Sequence, residues 1–169
     1  MKRTIYILSF VFSILIISSC SIYGLSRANI GDAKTIQVDF FPNQADLVEP
    51  VLTQRFTNDL ENLFTTHTSL TSKSSNGDLH FSGEIIDFKV TPTSGITSQT
   101  AAQNRLTVTV NIRFVNKLVE KDNFEKTFSF YSDFDANSQL TASVLEGALN
   151  EIVERITQDI FNLSIANDF

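Results

Sequence analysis

The feature that most constrains this chain is a segment that alternates without a fault, followed by a second that repeats its phase. Leu106, Val108, Val110, Ile112 and Phe114 are interleaved with Arg105, Thr107, Thr109, Asn111 and Arg113. After a charged turn running from Asn116 to Asn123, Phe124, Phe128, Phe130 and Phe134 repeat the even phase. A period of two puts successive side chains on opposite faces. Two such strands joined by a short turn predict antiparallel pairing, with one face packed and the other wet. The rest of the chain must therefore cover one side of a sheet and leave the other open.

Two segments have the pattern to do the covering. Leu52, Phe56, Leu60, Leu63 and Phe64 form one stripe of a helix that starts near Pro50 and stops near Thr66. Asp46 and Glu49 stand at its positive end. Leu145, Leu149, Ile152, Ile156, Ile160 and Leu163 form the stripe of a second helix. Ser143 and Glu146 have the spacing of a capping box, and Ser138 offers an earlier start. Ile36, Val38 and Phe40 alternate as a strand ended by Pro42 and Asn43. A short strand is expected around Leu70, and Asn76-Gly77 after it has the form of a hairpin turn. Leu79, Phe81 and Ile85, then Ile86, Phe88 and Val90, make a long strand whose inward phase switches from odd to even, which predicts a bulge between Gly83 and Ile86. A polar loop fills residues 91–102. The predicted fold class is α+β: a two-layer sandwich in the order βαββββα, its mixed or antiparallel sheet of about four to five strands carrying both helices on one face.

The beginning of the chain reads differently. Lys2 and Arg3 precede an apolar run from Ile5 to Ile17, broken only by Ser9 and Ser13. That run is shorter than the roughly 20 residues needed to span a bilayer and has the proportions of an export signal. It ends in Ile17-Ser18-Ser19-Cys20, which is similar to the bacterial lipobox, and Cys20 is the single cysteine of the chain. Cys20 is the expected site of lipid attachment, with residues 1–19 removed as a signal peptide. Removal would leave 150 of the 169 residues and take the formal charge from −6 to −8 as Lys2 and Arg3 depart. Residues 20–34 then form the lipidated N-terminus and tether, and residues 35–169 the folded domain. Ser21 follows the cysteine, with no acidic residue beside it. By analogy with known sorting signals, this points to the outer membrane, periplasmic side.

Composition narrows the chemistry. An acidic chain argues against nucleic acid, which needs a concentrated basic surface. One Cys and two His leave no material for a multi-cysteine or histidine metal centre. There is no Gly-rich phosphate loop, nucleophile elbow or His-Glu-x-x-His motif. His67 and His80 are expected to be solvated, and Asp87, Asp133 and Asp135 to be solubilising carboxylates rather than an acid–base pair. No enzyme, no catalytic residue, no metal and no cofactor beyond the covalent lipid on Cys20 are expected. The hydrophobic share of 42%, with 15 Phe, promises an aromatic core. On the wet face Lys89, Arg105 and Arg113 stand among Thr, Asn and Ser. Arg105 and Arg113 are spaced about 26 Å apart along one strand, too far to clamp one phosphate together.

Several stretches resemble the lipopolysaccharide-assembly lipoprotein family, LptE. They are Val38-Asp39-Phe40-Phe41-Pro42-Asn43 with the helix through Phe56; Gly77-Asp78-Leu79-His80-Phe81-Ser82-Gly83-Glu84-Ile85; Ala102-Gln103-Asn104-Arg105-Leu106-Thr107-Val108-Thr109-Val110; and Asp159-Ile160-Phe161-Asn162. Their order and spacing, with the lipobox ahead of them, carry the resemblance. It implies a partner of the LptD outer-membrane β-barrel, lodged in it as a plug, supporting its assembly and the delivery of lipopolysaccharide to the outer leaflet. Contact of Lys89, Arg105 or Arg113 with lipopolysaccharide or with the partner is the accompanying expectation. The residues after Cys20 lack the Gly-Phe-rich opening of better-known members. The alternative is a periplasmic lipid or ligand carrier working without a barrel. A carrier needs an apolar cavity between sheet and helices, whereas a plug needs that space filled.

Overall fold

The computed structural model describes residues 30–47, 49–93, 103–136 and 141–165. In chain order the elements are β1 (Thr35–Val38), α1 (Pro50–His67), β2 (Thr71–Ser72), β3 (Leu79–Thr93), β4 (Gln103–Asn116), β5 (Phe124–Asp135) and α2 (Ala142–Ile165), with a 3-10 turn at Glu120–Asp122. The predicted order and α+β class hold. The five strands form one mixed sheet in the order β2-β1-β3-β4-β5. Cys20, the segment expected to be an export signal, Ser138 and residues 94–102 of the expected loop lie outside the described residues. Thr91, Pro92 and Thr93, expected in that loop, continue β3 instead, paired with β4.

The two alternating segments pair antiparallel along their length, from Gln103 opposite Asp135 to Phe114 opposite Phe124. Leu106, Val108, Val110, Ile112 and Phe114 are buried. Both helices cover that face. α1 starts with Pro50 behind a Glu49 cap, whose carboxylate accepts from the Val51 amide at 3.4 Å, and it buries Leu52, Phe56, Leu60 and Phe64. α2 buries Leu149, Ile152, Val153, Ile156 and Ile160. Its start departs from the capping box. Thr141 stands ahead of the first turn, its Oγ1 accepting from the Val144 amide at 3.4 Å, and Ser143 is already inside the helix.

The Asn76-Gly77 turn closes no hairpin. β2 and β3 both run parallel to β1 and flank it, so the chain crosses over β1 between them. Asn76 does take a positive φ of 60°. Gly77 lies against the β1 backbone, where a Cβ would stand 2.6 Å from the Gln37 nitrogen. A hairpin signal needs only a tight reversal; here the same residues carry the chain across a strand. Asp78 fixes the crossing, accepting from the Lys34 amide (3.0 Å), the Thr35 amide (3.0 Å) and the Thr35 hydroxyl (2.8 Å). These donors, with the Lys73 charge, outweigh a small desolvation and hold the Asp78 carboxyl below the usual carboxylate range.

The predicted bulge is present, with the β3–β4 register shifting between Ile85 and Asp87. Ile86 is the unpaired residue and is 42% exposed, where its phase had suggested burial. Gly83, at φ 154°, brings β3 so close to β4 that a Cβ would sit 2.0 Å from the Asn111 carbonyl oxygen. Beside it Phe41 drops into the core, edge-on to Phe56 at 5.0 Å.

Candidate functional site

The open face of the sheet is a set of paired polar side chains whose partners follow from strand register. Arg105 lies opposite Asp133 and grips it with two bonds, Nε to Oδ1 at 2.7 Å and Nη2 to Oδ2 at 2.8 Å. Its guanidinium also stands 3.6 Å from the Tyr131 ring centroid. Donation from Arg105 holds the Asp133 carboxyl below the usual range. Thr109 meets Ser129 at 2.9 Å between hydroxyls. Asn111 donates to Glu84 and to Glu125 at 3.3 and 3.2 Å. Arg113 donates to Glu125 twice at 3.3 Å, and this, then Asn111, lowers the Glu125 carboxyl. Cross-strand partners of this kind stabilise a sheet while leaving its surface polar.

Lys89, Arg105 and Arg113 thus share the wet face, as expected, and each has a carboxylate partner there: Asp87, Asp133 and Glu125 respectively. The side chains of Lys89 and Arg113 remain 54% and 57% exposed, against 34% for Arg105. The face as a whole is acidic, because Asp39, Glu84, Asp87, Glu125, Asp133 and Asp135 outnumber its cations.

Nothing in the local pattern announces the partner that His80 finds. His80 is on the polar phase of β3, but its Nε2 lies 2.7 Å from Asp39 Oδ2, while Gln37 Nε2 donates to Asp39 Oδ1 at 2.7 Å. Burial opposes ionisation of Asp39; the donors Gln37 and His80 outweigh it and lower its carboxyl. The signal that could have found this cluster is the outward phase of Gln37 and Asp39. Using it requires knowing that β1 pairs with β3, with Gln37 opposite His80. His67 sits elsewhere, edge-on to Phe161 at 6.0 Å. Among the described residues no group of three or more His, Cys, Asp or Glu could hold a metal ion, and no helix is long and apolar enough to cross a membrane.

Between sheet and helices the space is filled with rings. Phe161 meets Phe64 at 4.9 Å, Phe64 meets Phe81 at 4.8 Å, Phe81 meets Phe114 at 4.7 Å and Phe114 meets Phe124 at 5.2 Å. One aromatic chain therefore runs from α2 through α1 to three strands. A cleft of about 50 Å³ opens at the end of the sheet beside Ile30, Leu118 and Ile165. An open groove of about 610 Å³ runs between α1 and α2 on their outer side, lined mostly by polar groups such as Arg55, Asp59, His67 and Glu154 rather than by the apolar walls a lipid carrier needs. Sites for small lipophilic ligands measure about 300–1,000 Å³.

The model of one protein family, described as LptE: Lipopolysaccharide-assembly, matches residues 33–164. That match spans most of the chain and nearly all of the folded domain. The chain belongs to the LptE family.

No curated protein matches the sequence. Among solved structures, the hypothetical protein CT253 from Chlamydia trachomatis is similar with a TM-score of 0.56 at 8% identity, covering 80% of this chain and 99% of that one. A minor lipoprotein from Acinetobacter baumannii gives 0.47 at 11% identity, over 78% of this chain and 91% of its own. Lipoprotein GNA1162 from Neisseria meningitidis gives 0.41 at 12%, over 76% and 99%. The Chlamydia protein shares the fold of this LptE member; the other two likenesses are too loose to add to it.

Proposed function

We propose that this LptE-family chain is a non-enzymatic lipoprotein, anchored through lipid on Cys20 to the periplasmic side of the outer membrane. There it plugs an LptD-type β-barrel, helps that barrel assemble and supports lipopolysaccharide transport to the outer leaflet. Family membership supports the lipopolysaccharide-assembly role. The observation that carries the plug is a filled aromatic core behind a broad, polar, internally paired sheet face. A barrel lumen is polar, so a plug must meet it with hydroxyls, amides and ions. The filled core disfavours the alternative, a free lipid or ligand carrier.

Contact with lipopolysaccharide phosphate, on this proposal, requires a cation to exchange its carboxylate for the phosphate. Lys89 and Arg113, more than half exposed, are best placed to exchange; Arg105 is clamped by two short bonds and an aromatic ring. Arg113→Ala should then weaken lipopolysaccharide binding more than Arg105→Ala, and more so at low salt. Photo-crosslinking in cells tests the plug itself. A crosslinker at Thr109, in the middle of the sheet face, should yield an adduct with an outer-membrane β-barrel. Adducts only with lipid, or none, would count against it.

A further inference from the structure

We infer that the turn between β4 and β5 is a second membrane contact, in which Leu118 and Val119 enter the interface of a phospholipid bilayer beside the lipidated tether. This contact rests on the anchor proposed at Cys20 and adds to it an orientation for the whole domain.

Leu118 is 51% and Val119 36% exposed, and they are adjacent. Their exposure is built in. The buried Asn116 accepts through its Oδ1 from the backbone amides of Leu118 (3.0 Å) and Val119 (3.1 Å), while its backbone N–H donates to Asn123 Oδ1 at 2.7 Å. The Lys117 amide donates to the Asp78 carbonyl at 2.9 Å, joining the turn to the crossover loop. A turn so well tied could have tucked its leucine inward; this one holds it out.

Position favours a bilayer as the occupant. Leu118 and Val119 share their cleft with Ile30, the first described residue of the tether. Ten residues lead from Cys20 to Ile30, which reach at most about 35 Å. β4, at 14 residues, is about 46 Å long. The tether thus holds the end bearing Ile30, Leu118 and Val119 within about 35 Å of the anchoring leaflet, less than the length of the sheet.

Charge agrees. The loops at this end carry Lys34, Lys73, Lys117 and Lys121 against Asp32, Asp78, Glu120 and Asp122, an even balance in an acidic chain. Asp78 is moreover consumed by backbone amides. Lys117 precedes the two apolar residues and Lys121 follows them after Glu120. Lys121, and Lys117 on leaving the Asn76 Oδ1 it holds at 3.0 Å, can reach headgroup phosphates while Leu118 and Val119 enter the acyl boundary. The sheet face, by contrast, has an excess of carboxylates and would be repelled by an anionic leaflet.

The chain contains no Trp, so a single introduced indole reports its own surroundings. Leu118→Trp, and separately Val119→Trp, are made in the full lipidated chain and reconstituted in phosphatidylcholine–phosphatidylglycerol vesicles, with and without lipid carrying a doxyl quencher near the headgroup. Tyr131→Trp, on the exposed sheet face, is the comparison. The expected result is a shift to shorter wavelength and loss of emission on doxyl lipid for positions 118 and 119, with position 131 unchanged. Protein that floats with the vesicles while the indoles at positions 118 and 119 keep water-like, unquenched emission overturns the contact and leaves the anchor standing. Equal quenching at position 131 overturns the orientation, and hence the inference. A chain that does not float at all refutes the anchor and the contact with it.

Discussion

Gly83 and Gly147 should respond oppositely to the same substitution. At Gly83, φ is 154° and an added Cβ would stand 2.0 Å from the Asn111 carbonyl oxygen and 2.9 Å from Phe41 Cε1. Backbone strain at such a φ costs about 1–3 kcal/mol. Forcing β3 from β4 in a packed interior costs about another 1–3 kcal/mol. Gly83→Ala should therefore lose about 4 kcal/mol, a large part of the roughly 5–15 kcal/mol available to a domain. At Gly147, inside α2, nothing lies within 4 Å of the new Cβ. Gly147→Ala should instead gain about 0.5–1 kcal/mol, because a helix interior favours Ala. Urea unfolding followed by circular dichroism, on the chain from residue 20 with Cys20→Ser, reads both. With a slope of about 2 kcal/mol per molar, Gly83→Ala should lower the midpoint by about 2 M and Gly147→Ala raise it by a few tenths. A Gly83→Ala midpoint close to the parent's would refute the close approach of β3 and β4 on which the bulge and the position of Phe41 depend.

Removing the ring at the centre of the aromatic chain, Phe64→Ala, should cost about 3–5 kcal/mol in the same assay, since Phe64 is fully buried against Phe81 and Phe161. Asp78→Asn should cost about 1–2 kcal/mol at neutral pH by weakening its hydrogen bonds. Because the folded carboxyl of Asp78 is depressed, its contribution is present above the unfolded value near 3.9 and fades as pH falls through the folded one. Acid unfolding curves of parent and variant should therefore converge below about pH 4, and curves that stay parallel would refute the assignment. Cys20→Ala should move the protein from the membrane to the soluble periplasmic fraction, and unchanged membrane retention would refute lipidation.

What the sequence made legible was set by one-dimensional periodicity. The β4 and β5 faces, the stripes of α1 and α2 and the bulge in β3 are all local patterns, and all are found. What escaped depends on pairing between distant segments. Asn76-Gly77 has the local chemistry of a hairpin, and nothing beside it tells that β1, some forty residues earlier, lies between β2 and β3. Ile86 fits the even phase, but a bulge residue belongs to neither phase. Ser143-x-x-Glu146 satisfies the capping pattern, yet Thr141 is where the helix begins to need a cap. The same limit hid the site's electrostatics. Arg105, Arg113 and Lys89 could be placed on the wet face from alternation, whereas Asp133 and Glu125 became the arginines' partners only through β4–β5 register. The His80–Asp39 contact needed the parallel β1–β3 pair in the same way.

The most direct test of the plug role is affinity purification of the mature lipidated protein from detergent-solubilised outer membranes, with the mass of whatever accompanies it measured. The expected result is a stoichiometric complex with one large β-barrel whose electrophoretic mobility changes on heating. Recovery of the protein alone, or alone with bound lipid, would contradict it.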